Sequence, residues 1–426
     1  MNKKILSTVL MAAAAMGSYA QSGTNSPYSQ YGIGILADQS TGFSRGMNGA
    51  SLGMRQGNVV NPTNPASYSA ADSLTMIFDV GMTGQITNFK EGQTKVNAKN
   101  ANFDYAVGLF RLFPGVGVSF GVLPYSNVGY KYTTSTYLDR TNGTITETYT
   151  GEGGLHEMFL GAGMRITPQL SIGFNAAYLW GTIDRRAVSS STTYINSLSK
   201  SYSTSVNSYK ADLGLQYTRR LTKNDELTVG ATIGIGHKLH ADAECNIINN
   251  NTTGTSDTTT IVAANALELP MSYGAGVTWR HNNSLLVCAD IGFQQWSKVS
   301  HPRYDSATKT YEARTNVLRD RWTVAAGADF VPESQSRNYL KRVHYRLGGG
   351  FATPYYNINN SKGPNELSLS AGFGLPLQNA YNSRSVLNIS AQWVRTSAKD
   401  MITENSFRLN IGLTFNERWF FKWKID

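Results

Sequence analysis

Between Ser73 and Phe415 the chain keeps returning to one pattern, in which apolar and polar residues alternate. Leu285, Val287, Ala289, Ile291 and Phe293 are interleaved with Ser284, Cys288, Asp290, Gly292 and Gln294. Leu367, Leu369, Ala371, Phe373 and Leu375 alternate with Ser368, Ser370, Gly372 and Gly374. Phe407, Leu409, Ile411, Leu413 and Phe415 alternate with Arg408, Asn410, Gly412 and Thr414. A period of two sends successive side chains to opposite faces of a strand. Each strand therefore has one apolar face and one polar or small one. A β-sandwich uses that pattern with its core on the apolar side. A membrane barrel uses it with lipid on that side.

Three features favour the barrel. Strands of ten residues or more and aromatic strand ends match what a bilayer demands. The third is a leader. Residues 1–20 read as a secretory signal peptide, with Lys3 and Lys4 at the basic start, Ile5 to Met16 as the apolar middle and Ser18-Tyr19-Ala20 as the cleavage site. The mature chain is expected to start near Gln21. Beyond the leader no run of about 18 apolar residues offers a spanning helix. Charged residues make up 15% of the 426, below the roughly 25% of soluble domains, while Gly reaches 41 and Tyr 23. The two cysteines, Cys245 and Cys288, are too few for a disulfide framework or a zinc site.

The predicted strands run over 73–89, 102–113, 116–138, 155–167, 170–188, 204–220, 226–248, 259–280 and 284–299. Five more cover 320–332, 343–354, 366–377, 385–397 and 404–415. The fold class is therefore all-β, a roughly 14-stranded antiparallel transmembrane β-barrel over 73–415. An even number returns both ends to one side. Tight turns at Phe113-Pro114-Gly115, Thr167-Pro168 and His281-Asn282-Asn283 are assigned to the periplasm, and the longer loops to the outside. Residues 416–426 form a tail, read as an interfacial aromatic anchor.

Ahead of the strands, residues 21–72 differ in kind. Gln21 to Gln39 is polar with aromatics and is read as a periplasmic leader into the segment that follows. Thr41 to Asp72 is rich in Gly, Asn, Ser and Ala and has no sustained period. Asn61-Pro62 and Asn64-Pro65 each disfavour helix at the residue before proline. A compact irregular segment ahead of a barrel suggests a plug, or hatch, inside the lumen. The other reading is an arm that packs anywhere.

Four stretches resemble the FadL/TodX (OmpP1-like) family of outer-membrane transporters for hydrophobic compounds. They are Arg45 to Ser69 with its Asn64-Pro65-Ala66, Gly115 to Tyr132, Leu267 to Val299, and Arg321 to Tyr356. Their order and spacing carry the resemblance more than any one motif. The chain departs from the family at Pro62-Thr63, inserted before Asn-Pro-Ala, and in its polar Ser/Thr/Asn-rich loops. The resemblance implies fourteen strands and an N-terminal hatch. It also implies passive uptake of small hydrophobic molecules, such as a long-chain fatty acid or hydrocarbon, through a lateral opening at a kinked third strand. Other FadL-like barrels are not transporters but binding or scaffold subunits of surface secretion or outer-membrane assembly complexes.

Pro124 is the residue to watch, because a proline inside a closed wall removes a ladder hydrogen bond and needs a bulge or kink. Leu123 and Tyr125 adjoin it, and Gly121 and Gly129 leave the backbone room to bend. Asn61, Pro62, Asn64, Pro65 and Ala66 are expected to fix the hatch through side-chain caps and restricted rotation. Asp104, Arg165, Asp212, Asp290, Asp329, Arg346 and Arg408 are expected to face the lumen. Of these Arg165, Asp290, Asp329, Arg346 and Arg408 are the candidates to touch a ligand, an arginine by gripping a carboxylate. No catalytic set is visible. His156, His237, His240, His281, His301 and His344 flank no nucleophile motif, and His237 and His240 would point to opposite faces of a strand. Neither a metal nor a cofactor is called for, and no phosphate loop is present. The net charge of +10 is scattered. It suits outer-membrane lipid and lipopolysaccharide headgroups better than nucleic acid. The expected location is the outer membrane of a Gram-negative bacterium.

Overall fold

The computed structural model describes residues 23–138, 143–191, 197–250, 256–358, 361–377 and 385–418. The predicted signal peptide and the end of the tail lie outside them. Fourteen strands form the wall: β1 (Thr75–Glu91), β2 (Thr94–Phe113), β3 (Val116–Leu138), β4 (Gly143–Arg165), β5 (Leu170–Ser191), β6 (Ser197–Arg220) and β7 (Asp225–Gly234). β8 (Ser272–His281), β9 (Leu285–Gln294), β10 (Arg321–Phe330), β11 (His344–Ala352), β12 (Asn365–Leu377), β13 (Ser385–Ser397) and β14 (Thr403–Arg418) complete it. Each pairs antiparallel with the next, and β14 pairs with β1 from Thr75↔Arg418 to Lys90↔Thr403. The sheet has closed on itself as an antiparallel barrel.

The alternation sorts as lipid and lumen require. On β14, Phe407 and Leu409 are 55% and 51% exposed, while Asn410 between Leu409 and Ile411 is 6% exposed. Leu367, Leu369 and Phe373 on β12, and Val287 and Ile291 on β9, likewise point out. Exposed aromatics stand near both ends of β8, at Tyr273 and Trp279, as in the girdles of membrane barrels.

Two expectations about the strands are corrected. The seventh does not run to residue 248, nor does the eighth begin at 259. β7 stops at Gly234, β8 starts at Ser272, and the chain between them leaves the wall. A separate hairpin, Ala241–Asn250 with Ser256–Ala263, rejoins the upper edge of β6 through Val206↔Ala241. Leu239, Leu267 and Leu269 alternate with polar neighbours as a lipid-facing strand would, yet they turn inward into a buried cluster. Pro270, which has no N–H to donate, stands just before β8 resumes. His237 and His240 consequently lie off any strand, and His237 stacks on Tyr209 at 4.1 Å. The other correction concerns height. Of the segments read as loops at 139–153 and 189–203, the described residues 143–153, 189–191 and 197–203 are strand, and the β1–β2 connection is a tight hairpin at Gly92-Gln93. Their Thr, Tyr, Val and Ile content favours extended backbone, with or without lipid.

The irregular segment from Thr41 to Asp72 packs against inward-facing residues on opposite sides of the wall. Asp290 Oδ2 of β9 accepts from the backbone N–H groups of Ser51 and Leu52 at 2.6 and 2.8 Å. Across the lumen Arg45 donates to Asp104 of β2 at 2.5 Å and to Thr83 of β1 at 3.0 Å. Gln216 of β6 donates to the carbonyl of Met54, and Ser370 of β12 to that of Gly46, both at 3.0 Å. The wall glycines make room for this. A Cβ at Gly276 would lie 2.7 Å from Leu52 Cβ, and one at Gly348 would lie 2.7 Å from Met47 Cα. Gly163 faces Pro65 and Ser69, and Gly412 faces Gly42. These inward-facing glycines leave space for the segment at the inner wall.

Two outcomes follow from this packing. Gly348→Leu should overpack the contact with Met47 and cost about 1–3 kcal/mol. Read as a denaturant midpoint in detergent, it should fall while the folded barrel still resists heat and detergent on a gel; an unchanged midpoint would contradict the packing. Arg45→Met leaves Asp104 buried and unpaired, at a cost of about 3–5 kcal/mol. Arg45→Met with Asp104→Leu should recover most of that loss, and a double variant no better than the single one would count against the pair.

Candidate functional site: a gap in the wall and what fills it

β2 and β3 are paired only near the tight-turn side, from Phe113↔Val116 to Ala106↔Val122. Above that level their ladder stops, although β2 stays zipped to β1 and β3 to β4. Leu123 and Pro124 begin the unpaired stretch of β3, and the β3–β4 register shifts between Pro124↔His156 and Ser126↔Leu155. Tyr125 is the extra residue of that bulge. Proline has no N–H to offer a neighbouring strand, so the ladder ends where it sits. The bend runs on across the wall at the same height. Gly153 and Gly154 on β4 and Gly181 on β5 adopt φ of 100°, 143° and 146°, which residues with a Cβ rarely reach. Gly121 sits just below, where a Cβ would meet the Ala106 carbonyl oxygen at 2.5 Å.

The leader occupies the gap. Ile35–Leu36 forms a short strand paired with β3 through Ile35↔Asn127 and Leu36↔Ser126. The N–H of Ala37 donates to the Tyr125 carbonyl at 3.0 Å, and Gln39 Nε2 to the Pro124 carbonyl at 2.7 Å. Gly129 N–H donates to Ser29 Oγ at 3.1 Å. The other lip is held as well. Asn102 Nδ2 of β2 donates to the Gly23 carbonyl at 2.6 Å, and Asn25 Nδ2 donates to the Lys99 carbonyl at 3.1 Å. Residues 23–39 therefore bridge both edges of the open ladder.

Behind the gap the lumen is polar. A cavity of 90 Å³ is lined by Asp38, Arg45, Asp104, Pro124, Asn127 and Arg408 among others. Asp104 accepts from both Arg45 and Thr83, and Thr83 also reaches Asn410 at 2.6 Å. Arg408 donates to Gln85 at 2.8 Å. Tyr105 receives the Gly42 N–H and donates to Asp79 at 2.9 Å. On the other side of the kink, Lys210 pairs with Glu157 at 3.1 Å and Asp212 at 2.6 Å, its ammonium 5.9 Å from the Tyr125 ring centre. Leu123 is buried with Tyr68, Phe159 and Ala177. Toward the outside a buried apolar cluster closes the top. It takes Tyr28 and Ile33 from the leader, Tyr130 and Leu155 from the wall, and Trp296 and Tyr355 from the loops.

The remaining candidates fall into two groups. Asn61 donates to the Ser51 carbonyl at 2.7 Å. Asn64 caps the turn Pro65–Ala70 by accepting from Ala66 N–H at 3.2 Å, and it donates to the Leu52 carbonyl at 2.7 Å. The Pro62 carbonyl accepts from Asn175 of β5 at 3.1 Å. These five residues tie the segment to itself and to the wall. Asp329 holds Arg346 at 2.8 Å and His344 at 2.9 Å, and Arg346 also donates to Asn388 at 2.6 Å. Arg165 stands apart, exposed at the tight-turn end of β4. Pattern reading missed Arg45, Asp79, Glu157 and Lys210 as partners. Only the polar side of the strand alternation could have found the last three. Among the described residues no three His, Cys, Asp or Glu converge as metal ligands, and both cysteines are buried and free.

The fold has solved relatives. The Pseudomonas putida toluene transporter TodX superposes with a TM-score of 0.60 at 13% identity, covering 91% of this chain and 100% of that one. The Ralstonia pickettii toluene transporter TbuX gives 0.59 at 13%, covering 88% and 98%. A Pseudomonas aeruginosa FadL homologue gives 0.58 at 12%, covering 90% and 98%. These likenesses show a shared barrel fold. No curated protein sequence matches. A family model described as BamG matches residues 1–426, the whole chain. The chain belongs to the BamG family, and its fold is that of the FadL-like barrels.

Proposed function

We propose that this barrel is a binding or scaffold subunit of a surface secretion or outer-membrane assembly complex. It keeps the FadL architecture but has its lateral opening closed by its own leader. The observation that carries this reading is the pairing of Ile35–Leu36 with β3 at the kink, backed by the buried Arg45–Asp104 pair. An apolar solute gains roughly 0.8 kcal/mol per CH₂ by leaving water. A path past Arg45, Asp104 and Arg408 runs along charged groups held by protein partners, to which an apolar solute offers no hydrogen bond. The segment from Thr41 to Asp72 acts here as a fixed hatch that braces the wall. The wall itself supports a docking role. β3 to β6 each run 22 to 24 residues, against the roughly 9–11 needed to cross a bilayer, so their upper halves stand outside the apolar band. That raised face is rich in Ser, Thr, Tyr and Asn, a composition suited to a protein surface. Basic residues on it would meet lipopolysaccharide.

The test is a photo-crosslinker at Tyr137 or Thr258, on the raised wall, in cells that express the native protein. One stoichiometric partner band, absent with the probe at lipid-facing Leu409, is the expected result. Failure to capture or copurify any partner would defeat the proposal.

The missing β2–β3 ladder favours a second reading, passive uptake of a small hydrophobic molecule through the gap. It requires the leader to withdraw. Cysteines at Leu36 and Ser126 would lock the leader in place. Uptake demands that the oxidised variant lose transport of a fatty acid or aromatic hydrocarbon into liposomes, and that Pro124→Ala lower it. The scaffold reading expects neither change, with partner capture intact.

A further inference from the structure

On the tight-turn side of the inserted segment the lumen opens into a cavity of 1120 Å³. By loop length this mouth faces the periplasm. Its lining includes Arg55 on the irregular segment, Arg165 at the end of β4, Arg220 at the end of β6 and Arg280 on β8. Three carboxylates share the lining, Asp72, Glu226 and Asp329, against five arginines. Glu226 is taken by Arg280 at 2.7 Å, and Arg220 reaches the same carboxylate only at 3.9 Å. Asp329 is held by Arg346 and His344. Arg55 has no ion pair among the described residues, and its Nη1 is buried without an acceptor. Arg165 has no ion pair there either.

Arg55 and Arg165 therefore line one cavity as like charges. Burial, and after it the charge of Arg165, pushes the Arg55 guanidinium down to about 10, with Glu226 opposing more weakly. A buried guanidinium edge lacking an acceptor costs free energy comparable to a lost charged hydrogen bond. That edge and the exposed guanidinium of Arg165 line the same cavity, and each offers the fork geometry that carboxylates and phosphates fill.

We infer that the periplasmic vestibule is an oxyanion-binding site, in which Arg55 and Arg165 grip a carboxylate or phosphate that enters from the periplasm. The shared chemistry admits two sources, a free anion or an acidic side chain of a periplasmic peptide. The site lies on the periplasmic side of the inserted segment, so it functions whether or not solute crosses the barrel.

The test uses the full mature protein in detergent at low salt, titrated separately with inorganic phosphate and with a labelled hexaglutamate peptide. Saturable binding of at least one probe is expected. Arg55→Met and Arg165→Gln should each weaken it by about tenfold or more. Arg303→Gln, on a hairpin above the opposite mouth, should leave it unchanged. Arg165 sits on the exposed end of a strand, so its variant folds even if Arg55→Met does not. Phosphate competing with peptide supports one shared site, and binding of only one probe names the source. Absence of saturable binding by either probe, or binding indifferent to Arg165→Gln, would overturn the assignment.

Discussion

Backbone pairing is the constraint that shapes this molecule. In a hydrocarbon layer an unpaired N–H or C=O costs several kcal/mol, which is why spanning sheets close into barrels. Thirteen of the fourteen strand junctions satisfy that demand along the apolar band. The junction of β2 and β3 satisfies it only below Val122, where Pro124 and the Tyr125 bulge end the ladder. The chain resolves the deficit with its own leader, which supplies a two-residue strand to β3 and side-chain amides to both lips. Much else depends on that repair. The leader must enter the lumen to reach the gap, so the segment after it is committed to the interior.

That commitment explains the inner surface. A lumen filled by irregular backbone needs close approach, and glycines on the inward face allow it at Gly276, Gly348 and Gly412. Irregular backbone also leaves N–H and C=O groups to satisfy, and wall side chains do so: Asp290 for Ser51 and Leu52, Gln216 for Met54, Ser370 for Gly46. The charges pair as well, Arg45 with Asp104 and Lys210 with Glu157 and Asp212. A lumen furnished this way is lined by paired polar groups.

Much of the architecture was legible in the residues. Strands such as Phe407 to Phe415 carry a period of two strong enough to fix which face meets lipid, and Pro114-Gly115 marks a tight turn without ambiguity. Where reading by pattern failed, the same local signal had two tertiary meanings. Leu267 and Leu269 alternate as lipid-facing residues do, but they line the buried cap. Thr, Glu and Tyr over residues 144–150 are polar like loop residues, yet β-propensity and a long partner strand keep them extended. Pro124 announced a kink, while Gly153, Gly154 and Gly181 gave no sign of sharing its height, because their alignment depends on strand register. The lumen pairs were hidden for the same reason. Arg45 and Asp104 are 59 residues apart, and only closure of the barrel brings them together.

The central claim is that residues 35–36 are a working part of the barrel wall. Amide hydrogen exchange on the mature protein in native-lipid nanodiscs measures this directly. If the leader completes the wall, peptides covering residues 31–39 should exchange as slowly as the paired lower half of β3. Exchange within seconds across 31–39, with β3 above Val122 equally unprotected, would mean that the gap stands open and the account is wrong.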